Sequence, residues 1–374
     1  MKIRAAVLHE IGAPAPYALS RPLRVEELTL DPPGPGEVLV RIRAAGLCHS
    51  DLSVISGDRP RPVPMALGHE AAGEVEALGA GVGDLAVGDQ VVMVFVPSCG
   101  HCMPCMEGRP ALCEPGAASN GAGTLLSGER RLTGAGGAVH HHLGVSAFAE
   151  YAVVSRRSIV RIEEDLSHEE AALFGCAVIT GVGAVVNTAR VEPGSSVAVV
   201  GLGGVGLNCL LGARLVGARQ VIAIDPIPAK RELASQLGAD MVYDSEEADC
   251  VEVLREVTRG GVDYAFEMAG SVQAMDMAYR ITRRGGTTVS AGLSHPARDF
   301  ALKHISLVAE ERTVKGSYLG GCVPARDIPR LIALYRQGRL PVDRLLSERV
   351  ALDDINIAFD RLAAGATVRQ IVLP

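Results

Sequence analysis

The chain has 374 residues, of which 48% are hydrophobic and 21% are charged, and its formal net charge is −7. This length is sufficient for two ordinary domains, each with its own buried core. An acidic chain without a long basic tract has no electrostatic signature of nucleic-acid binding.

The N-terminal segment, MKIRAAVLHE, lacks the long apolar core and small-residue cleavage site of a secretory signal. The sequence therefore predicts a cytoplasmic protein, in which thiols stay reduced. Its nine cysteines are an odd number, and in a reducing compartment they favour metal ligands and ordinary buried thiols over disulfides.

Four of these cysteines follow one another at the spacing C-x2-C-x2-C-x7-C: Cys99, Cys102, Cys105 and Cys113. Short gaps that contain Gly and Pro let the chain place four sulfurs at the corners of a tetrahedron. The spacing is also similar to that of iron–sulfur proteins, so the count alone does not settle the metal. The long fourth gap and the absence of a second cysteine group favour zinc, and four thiolates leave no open coordination position, which predicts a structural site.

Two later stretches are apolar enough to raise the question of a membrane span. The first, AALFGCAVITGVGAVV, is shorter than the roughly 18 apolar residues that a span needs. The second, residues 197–218, is interrupted by Asn208, Arg214 and several glycines. Both therefore predict buried elements and no membrane partner.

The second stretch carries the pattern of a dinucleotide-binding loop. An apolar run at 197–200 leads into G-x-G-x-x-G at Gly201, Gly203 and Gly206, and the next apolar run ends at Asp225. These glycines allow a tight turn, close approach to a pyrophosphate and close helix packing, while the N–H groups at the helix start face the phosphates. Because Asp225 would accept from a ribose 2′-hydroxyl and repel a 2′-phosphate, and no Arg is adjacent, the sequence predicts NAD(H) in preference to NADP(H).

After Cys176, apolar runs alternate with helical patterns and include VDYAFEMAG and GGTTVSAG. Such alternation predicts an α/β domain with a doubly wound parallel sheet.

Together these features resemble the liver-type branch of the zinc-dependent medium-chain alcohol dehydrogenases. The segments that carry the likeness span nearly the whole chain: GLCHSD (46–51), GHEAAGEV (68–75), the four-cysteine run, GCAVITG (175–181), GLGGVG (201–206) and VRQIVLP (368–374). The resemblance implies a Rossmann domain at 178–319, inserted in a mainly β, GroES-like catalytic domain at 1–177 and 320–374. It also implies a substrate cleft between the domains.

The resemblance implies two zinc ions per chain, the second one catalytic and bound by Cys48, His69 and Cys176. Three protein ligands leave a fourth position for an alcohol or carbonyl oxygen. By the same resemblance, Glu70 lies behind this zinc and Asp51 fixes the tautomer of His69. Without the family, Cys176 would be an ordinary buried thiol, His69 a loop residue and Asp51 a helix cap.

The matched positions also assign the proton path and the cofactor contacts. Ser50 takes the substrate proton, and Ser53 occupies the position of a surface histidine that completes the path in liver-type enzymes. Because a serine is no base near neutral pH, the proton must leave through water or through His49. The cofactor residues implied besides the glycines and Asp225 are His49, Gly204, Val205, Lys230 and Arg369.

Four positions match the substrate pocket of the family: Phe95, His142, Arg59 and Leu293. His142 and Arg59 stand where relatives commonly have apolar residues, which favours a substrate more polar than a simple alkyl alcohol. The alternative for the HHH run, residues 140–142, is a polar loop.

The implied activity is reversible hydride transfer between a small alcohol and NAD+, giving an aldehyde or ketone, in an enzyme expected to be a homodimer. An alternative is a glutathione-dependent formaldehyde dehydrogenase. In those enzymes a basic residue follows the fourth structural cysteine, whereas this chain has Ala117 there. A second alternative, a zinc-ribbon module fused to a nucleotide-sensing domain, leaves Cys48, His69 and Cys176 without a role.

Overall fold

A computed structural model describes residues 1–163 and 165–374. The chain forms two compact units. The first comprises Met1–Cys176, Val323–Ile332 and Asp343–Pro374, and the second comprises Ala177–Cys322 and Ala333–Val342. The return segment implied by the resemblance, 320–374, thus contains a stretch, 333–342, that the structure groups with the second unit.

The first unit is mainly β. Its strands are β1 (Lys2–Leu8), β2 (Leu23–Leu30), β3 (Glu37–Gly46), β4 (Met65–Ala66), β5 (Ala71–Leu78), β6 (Gln90–Met93), β7 (Leu132–Gly134), β8 (Gly137–His141), β9 (Tyr151–Ser155), β10 (Ile159–Arg161), β17 (Leu346–Ala351) and β18 (Arg369–Leu373). Its helices are α1 (Tyr17–Ser20), α2 (His49–Ile55), α3 (Met103–Met106), α4 (Glu114–Ala122), α5 (His168–Leu173) and α13 (Ile355–Ala363).

Two sheets organise these strands. One closes into a barrel in the order β1-β2-β7-β8-β4, and the other runs β10-β6-β5-β3-β18-β17, with β9 also paired to β3. Strand β18 pairs antiparallel with the end of β3 at Ala45 and Gly46. The C-terminal strand therefore lies beside the point where the chain leaves β3 for α2.

The second unit contains a sheet of six strands, all parallel to their neighbours, in the order β13-β12-β11-β14-β15-β16. Its strands are β11 (Ser196–Val200), β12 (Gln220–Ile224), β13 (Met241–Tyr243), β14 (Val262–Glu267), β15 (Thr282–Ser290) and β16 (Thr313–Gly316). Its helices are α6 (Ile179–Gly183), α7 (Gly204–Leu215), α8 (Pro228–Gln236), α9 (Cys250–Val257), α10 (Val272–Ile281) and α11 (His304–Ala309), and α12 (Pro324–Arg336) runs from the first unit into the second. This strand order is that of a doubly wound dinucleotide-binding domain, so the predicted fold class is confirmed.

A continuous helical run, His168–Ala189, contains the first apolar stretch of the sequence. It has 22 residues, its most apolar 18-residue window has a mean hydropathy of 1.8, and it is long and apolar enough to cross a bilayer. However, 83% of its most apolar window is buried inside the protein, as in the core helix of a globular protein. The helix is longer than the apolar stretch because polar residues such as His168 and Asn187 extend it at both ends.

His141, the last residue of β8, is a buried neutral histidine in the first unit. Its side chain is 1% exposed, and Nε2 accepts a hydrogen bond from the backbone N–H of Arg131 at 3.0 Å. Burial lowers the pKa of His141 to about 4. Unfolding restores an ordinary pKa near 6.5, so the unfolded chain binds an extra proton between these two values.

We expect the free energy of unfolding to fall by about 3 kcal/mol from this group as the pH drops from about 6.5 to 4. His141→Gln keeps an acceptor but cannot titrate, so it should flatten this part of the profile. Denaturant unfolding at several pH values measures the effect, with the exposed His304→Gln as control. Equal slopes in wild type and His141→Gln would contradict the assignment.

Candidate metal centres and dinucleotide site

One candidate metal centre brings together Cys48, His69 and Cys176, whose ligand atoms all lie within 4.8 Å of one another. Cys48 follows β3 and directly precedes α2, and His69 lies two residues before the start of β5. Cys176 belongs to a π-helical segment, Phe174–Val178, between α5 and α6. Single π-helical turns within longer helices are often found at functional sites.

Gly68 fixes the approach of the chain to His69. Its φ is +93°, and a Cβ built there would lie 2.5 Å from the backbone nitrogen of Phe148. A side chain at this position would meet backbone rather than a movable group, so only glycine fits.

Asp51 connects the segments that carry two of these candidate ligands. It is fully buried, and its Oδ1 accepts from Nδ1 of His69 at 3.0 Å and from the N–H of Gly68 at 3.3 Å. Its Oδ2 accepts from the N–H of Cys48 at 3.2 Å. Because Nδ1 of His69 faces this carboxylate, Nε2 is the nitrogen left for a metal.

Nε2 of His69 is buried and has no hydrogen-bond partner among the described residues. A buried imidazole nitrogen is rarely left unpaired. Two thiols and one imidazole are also the donor types that zinc prefers, and three of them leave one coordination position open. The residues present therefore fit a zinc ion with room for a fourth ligand.

Local charges shift the pKa values of this cluster. The neighbouring thiol of Cys176, followed by the ring of His69, lowers the pKa of Cys48 well below its ordinary value despite burial. Burial opposes protonation of His69, but Asp51 outweighs it and raises the pKa of His69 to about 10. A metal at Nε2 must displace that proton, as expected when metal binding is coupled to proton release.

Glu70 and Arg369 form a buried ion pair next to this cluster. Nη2 of Arg369 pairs with Oε1 of Glu70, and Nη1 donates to the carbonyl of Leu47 at 3.3 Å. Arg369, expected to contact the cofactor, is only 3% exposed, and the structure gives it a carboxylate partner that the sequence does not suggest.

His142 and Phe95, both expected in the substrate pocket, lie against the ring of His69. The His142 ring is nearly perpendicular to it with the centroids 5.6 Å apart, and the Phe95 ring lies in the same way at 5.4 Å. Nδ1 of His142 is 3.1 Å from Oδ1 of Asp51. Burial lowers the pKa of His142, which makes it a neutral neighbour of the centre and no part of an exposed polar loop.

The residues predicted for the proton path lie at the start of α2. His49 is exposed, Ser50 is half-buried, and the hydroxyl of Ser53 donates to the carbonyl of His49 at 2.8 Å. Nη2 of Arg59 donates to the same hydroxyl at 3.0 Å. Arg59, expected at the pocket mouth, therefore lies beside the position that replaces the surface histidine.

The second candidate metal centre consists of Cys99, Cys102, Cys105 and Cys113, with all four sulfurs within 4.8 Å of one another. Backbone N–H groups point at these sulfurs: Cys99 donates to Cys113 at 3.1 Å, Cys102 to Cys99 at 3.3 Å and Gly116 to Cys113 at 3.3 Å. Such bonds stabilise thiolates, and four thiolates fit a closed zinc site.

In the second unit, the glycine loop joins β11 to α7. Gly201 has a φ of +93°, and a Cβ there would lie 2.7 Å from the side chain of Ala269. Helix α7 begins at Gly204, so its first N–H groups, including those of Val205 and Gly206, are available to an anion. Gly203, the residue before the helix, leaves open space where a side chain would stand.

Asp225 follows β12 and is 5% exposed. Its Oδ2 accepts from the N–H of Leu202 in the glycine loop at 2.7 Å, and its Oδ1 accepts from the N–H of Ile227 at 2.9 Å. The carboxylate thus fastens the glycine loop to the turn after β12. The remaining lone pairs of this carboxylate could accept hydrogen bonds from ribose hydroxyls.

Two other predicted residues lie elsewhere in this unit. Lys230 is a half-buried residue of α8, and Leu293 is 51% exposed in the segment after β15. Arg231, next to Lys230, is not among the predicted residues, because it is six positions after Asp225 and not adjacent to it. The sequence feature that indicates it is an arginine about one helical turn after the start of α8.

Comparisons with known proteins agree with this geometry. The family model described as an alcohol dehydrogenase GroES-like domain matches residues 34–164, and the one described as a zinc-binding dehydrogenase matches residues 204–337. The S-(hydroxymethyl)glutathione dehydrogenase of Synechocystis sp. is 38% identical over 376 residues, which is 100% of both chains.

Two solved structures are also similar over 100% of this chain and 99% of theirs. A crystal structure of an alcohol dehydrogenase zinc-binding domain protein from Burkholderia ambifaria has a TM-score of 0.93 at 37% identity. That of a benzyl alcohol dehydrogenase from Acinetobacter calcoaceticus has a TM-score of 0.93 at 34% identity.

The chain belongs to the zinc-dependent medium-chain alcohol dehydrogenase family. It is an oxidoreductase that acts on CH–OH donors of small molecules and uses zinc and NAD.

Cys102→Ser should lower the zinc content by about one ion per chain and lower the free energy of unfolding, because a structural zinc contributes directly to folding. The rate of hydride transfer should change little, since a closed site cannot reach a substrate. Elemental analysis, thermal unfolding and single-turnover kinetics measure these effects, with Cys209→Ala as a buried-thiol control. Normal stability with a lost hydride step would contradict the assigned role.

Proposed function

We propose that Cys48, His69 and Cys176 hold the catalytic zinc and that the chain interconverts a small alcohol with its aldehyde or ketone there. The observation that carries this proposal is the three-ligand cluster, in which Nε2 of His69 is buried without a partner among the described residues. Zinc held by these side chains would supply a Lewis acid for the substrate oxygen, and NAD would supply the hydride acceptor.

The chain's own residues orient this site and handle the proton. Asp51 holds His69 in the tautomer that presents Nε2. The Ser50 hydroxyl lies in the first turn of α2 and, at the position matched by the family resemblance, accepts the substrate proton. The Ser53 hydroxyl donates to the carbonyl of His49 and accepts from Arg59. Because a serine hydroxyl is no base near neutral pH, the proton leaves through water or through the exposed His49.

Cys176→Ala should remove one zinc per chain and nearly all turnover while NADH still binds, since the glycine loop and Asp225 belong to the second unit. Elemental analysis, kcat and NADH fluorescence titration test this outcome. Cys250→Ala removes a buried thiol of α9 and should leave all three quantities unchanged. Loss of NADH binding in step with turnover would contradict the proposed division of roles.

A second candidate is oxidation of S-(hydroxymethyl)glutathione, favoured by the name of the Synechocystis relative. Against it, position 117 is an exposed alanine of α4 and provides no cation for a glutathione carboxylate. We therefore favour a free alcohol. Formaldehyde-dependent NADH formation with and without glutathione distinguishes the two: a strict requirement for glutathione would establish the second candidate.

We further propose a cytoplasmic homodimer that forms through β16. This strand pairs only with β15 in the described sheet, and all four of its residues are exposed. The exposed apolar side chains of Ile305, Val308 and Val314 are 73%, 64% and 39% accessible. An edge strand with one open hydrogen-bonding side, next to exposed apolar side chains of α11, favours pairing with a second copy about a two-fold axis.

Val308→Asp combined with Val314→Asp should convert the dimer to a monomer, because burying two new charges per chain in the interface is costly. Light scattering at low micromolar concentration measures the mass. Val87→Asp, at a 66% exposed position of the first unit, serves as control. A tetrameric wild type, or a dimer that persists in the double variant, would refute the proposal.

A further inference from the structure

Arg231 places a guanidinium at the turn that carries the predicted ribose-binding acid. Its Nη1 donates to the backbone carbonyls of Asp225 at 2.7 Å and Pro226 at 2.8 Å. The same nitrogen lies 2.9 Å from Oδ2 of Asp244, which follows β13. The cation is thus fixed at the backbone of the residue whose side chain is expected to choose between NAD and NADP.

The guanidinium keeps donors for another acceptor. Every side-chain hydrogen bond found for Arg231 in the described part of the chain uses Nη1, and a guanidinium carries five N–H donors in a rigid plane. The side chain is 19% exposed, so solvent reaches it. Planar donors of this kind recognise phosphate in a bidentate manner.

Two carboxylates offset this positive charge. Asp244 pairs with Arg231 directly and is 25% exposed. The carboxylate of Asp225 accepts hydrogen bonds from the N–H groups of Leu202 and Ile227, so its negative charge lies at the glycine loop. In dinucleotide-binding folds, an acid at this position favours a ribose 2′-hydroxyl, whereas a nearby arginine accommodates a 2′-phosphate. This turn contains both.

We propose that Arg231 is a second determinant of cofactor choice. Its guanidinium can bind a 2′-phosphate, but the negative charges of Asp225 and Asp244 prevent this binding in the wild-type chain. The proposal rests on the dinucleotide site proposed above. The carboxylate of Asp225 repels a 2′-phosphate, and Asp244 competes with that phosphate for the guanidinium. Removing either charge should therefore expose a preference for phosphorylated ribose that depends on Arg231.

The probe is adenosine 2′,5′-bisphosphate, and adenosine 5′-monophosphate is the matched ligand that lacks the 2′-phosphate. Titration calorimetry on the zinc-loaded, NAD-free enzyme measures the affinity for each. Asp225→Asn should tighten binding of the bisphosphate relative to the monophosphate by at least about tenfold, the factor expected for one charge-assisted hydrogen bond. The kcat/KM for NADP+ should rise and that for NAD+ should fall. Asp225→Asn combined with Arg231→Met should abolish the gain.

Two further variants separate this role from a structural one. Asp244→Asn leaves Asp225 intact, so it should tighten bisphosphate binding severalfold even if Asp225→Asn folds poorly. Arg214→Met removes a comparable ion pair with Asp240 in the same unit and should leave the ratio unchanged. If Arg231 only braced the turn, its loss would lower the unfolding temperature and weaken both ligands equally.

An Asp225→Asn gain that persists in Asp225→Asn/Arg231→Met would overturn the inference while leaving the dinucleotide site standing. If Asp225→Asn changed neither NAD+ nor NADP+ kinetics, the assignment of Asp225 to the ribose would fail, and the inference with it.

Discussion

The geometry of the three-ligand centre depends on one buried carboxylate, that of Asp51. A fully buried negative charge is stable only when donors surround it, and here the donors come from both sides of the centre: the N–H of Cys48, the N–H of Gly68 and the ring of His69. One side chain thus fixes the backbone before α2, the backbone before β5 and the tautomer of a ligand. Moving any of these three donors would leave the Asp51 carboxylate without a hydrogen bond. The carboxylate therefore holds the site in place before a metal binds.

The parts of the molecule that could be predicted from the sequence are those whose chemistry is carried by local spacing. The glycine loop and the acid after β12 predict the doubly wound sheet, because strand, turn, helix and second strand follow one another within about thirty residues. The four-cysteine run is equally local, and its sulfurs do converge. Cys48, His69 and Cys176 are far apart in sequence, and only the likeness to a known family brought them together.

The rest depends on side chains that meet through tertiary packing. No spacing rule predicts that His142 lies 3.1 Å from Asp51, that Arg59 bonds Ser53, or that Arg231 reaches back to the carbonyl of Asp225. The helical run from His168 is likewise longer than the apolar stretch within it, because polar residues extend the helix at both ends. In each case the folded backbone decides which side chains meet.

The pairing of β18 with β3 has a consequence for the order in which the protein is made. Arg369 and Leu47, which meet at the centre, are 322 positions apart in the chain. The whole of the second unit therefore leaves the ribosome before Arg369 can pair with Glu70, whereas the sheet of the second unit is formed from one nearly contiguous stretch of chain. Until Arg369 has been synthesised, the nascent chain carries Glu70 without the counter-ion that it has in the folded protein, so this ion pair forms only after the second unit has been made.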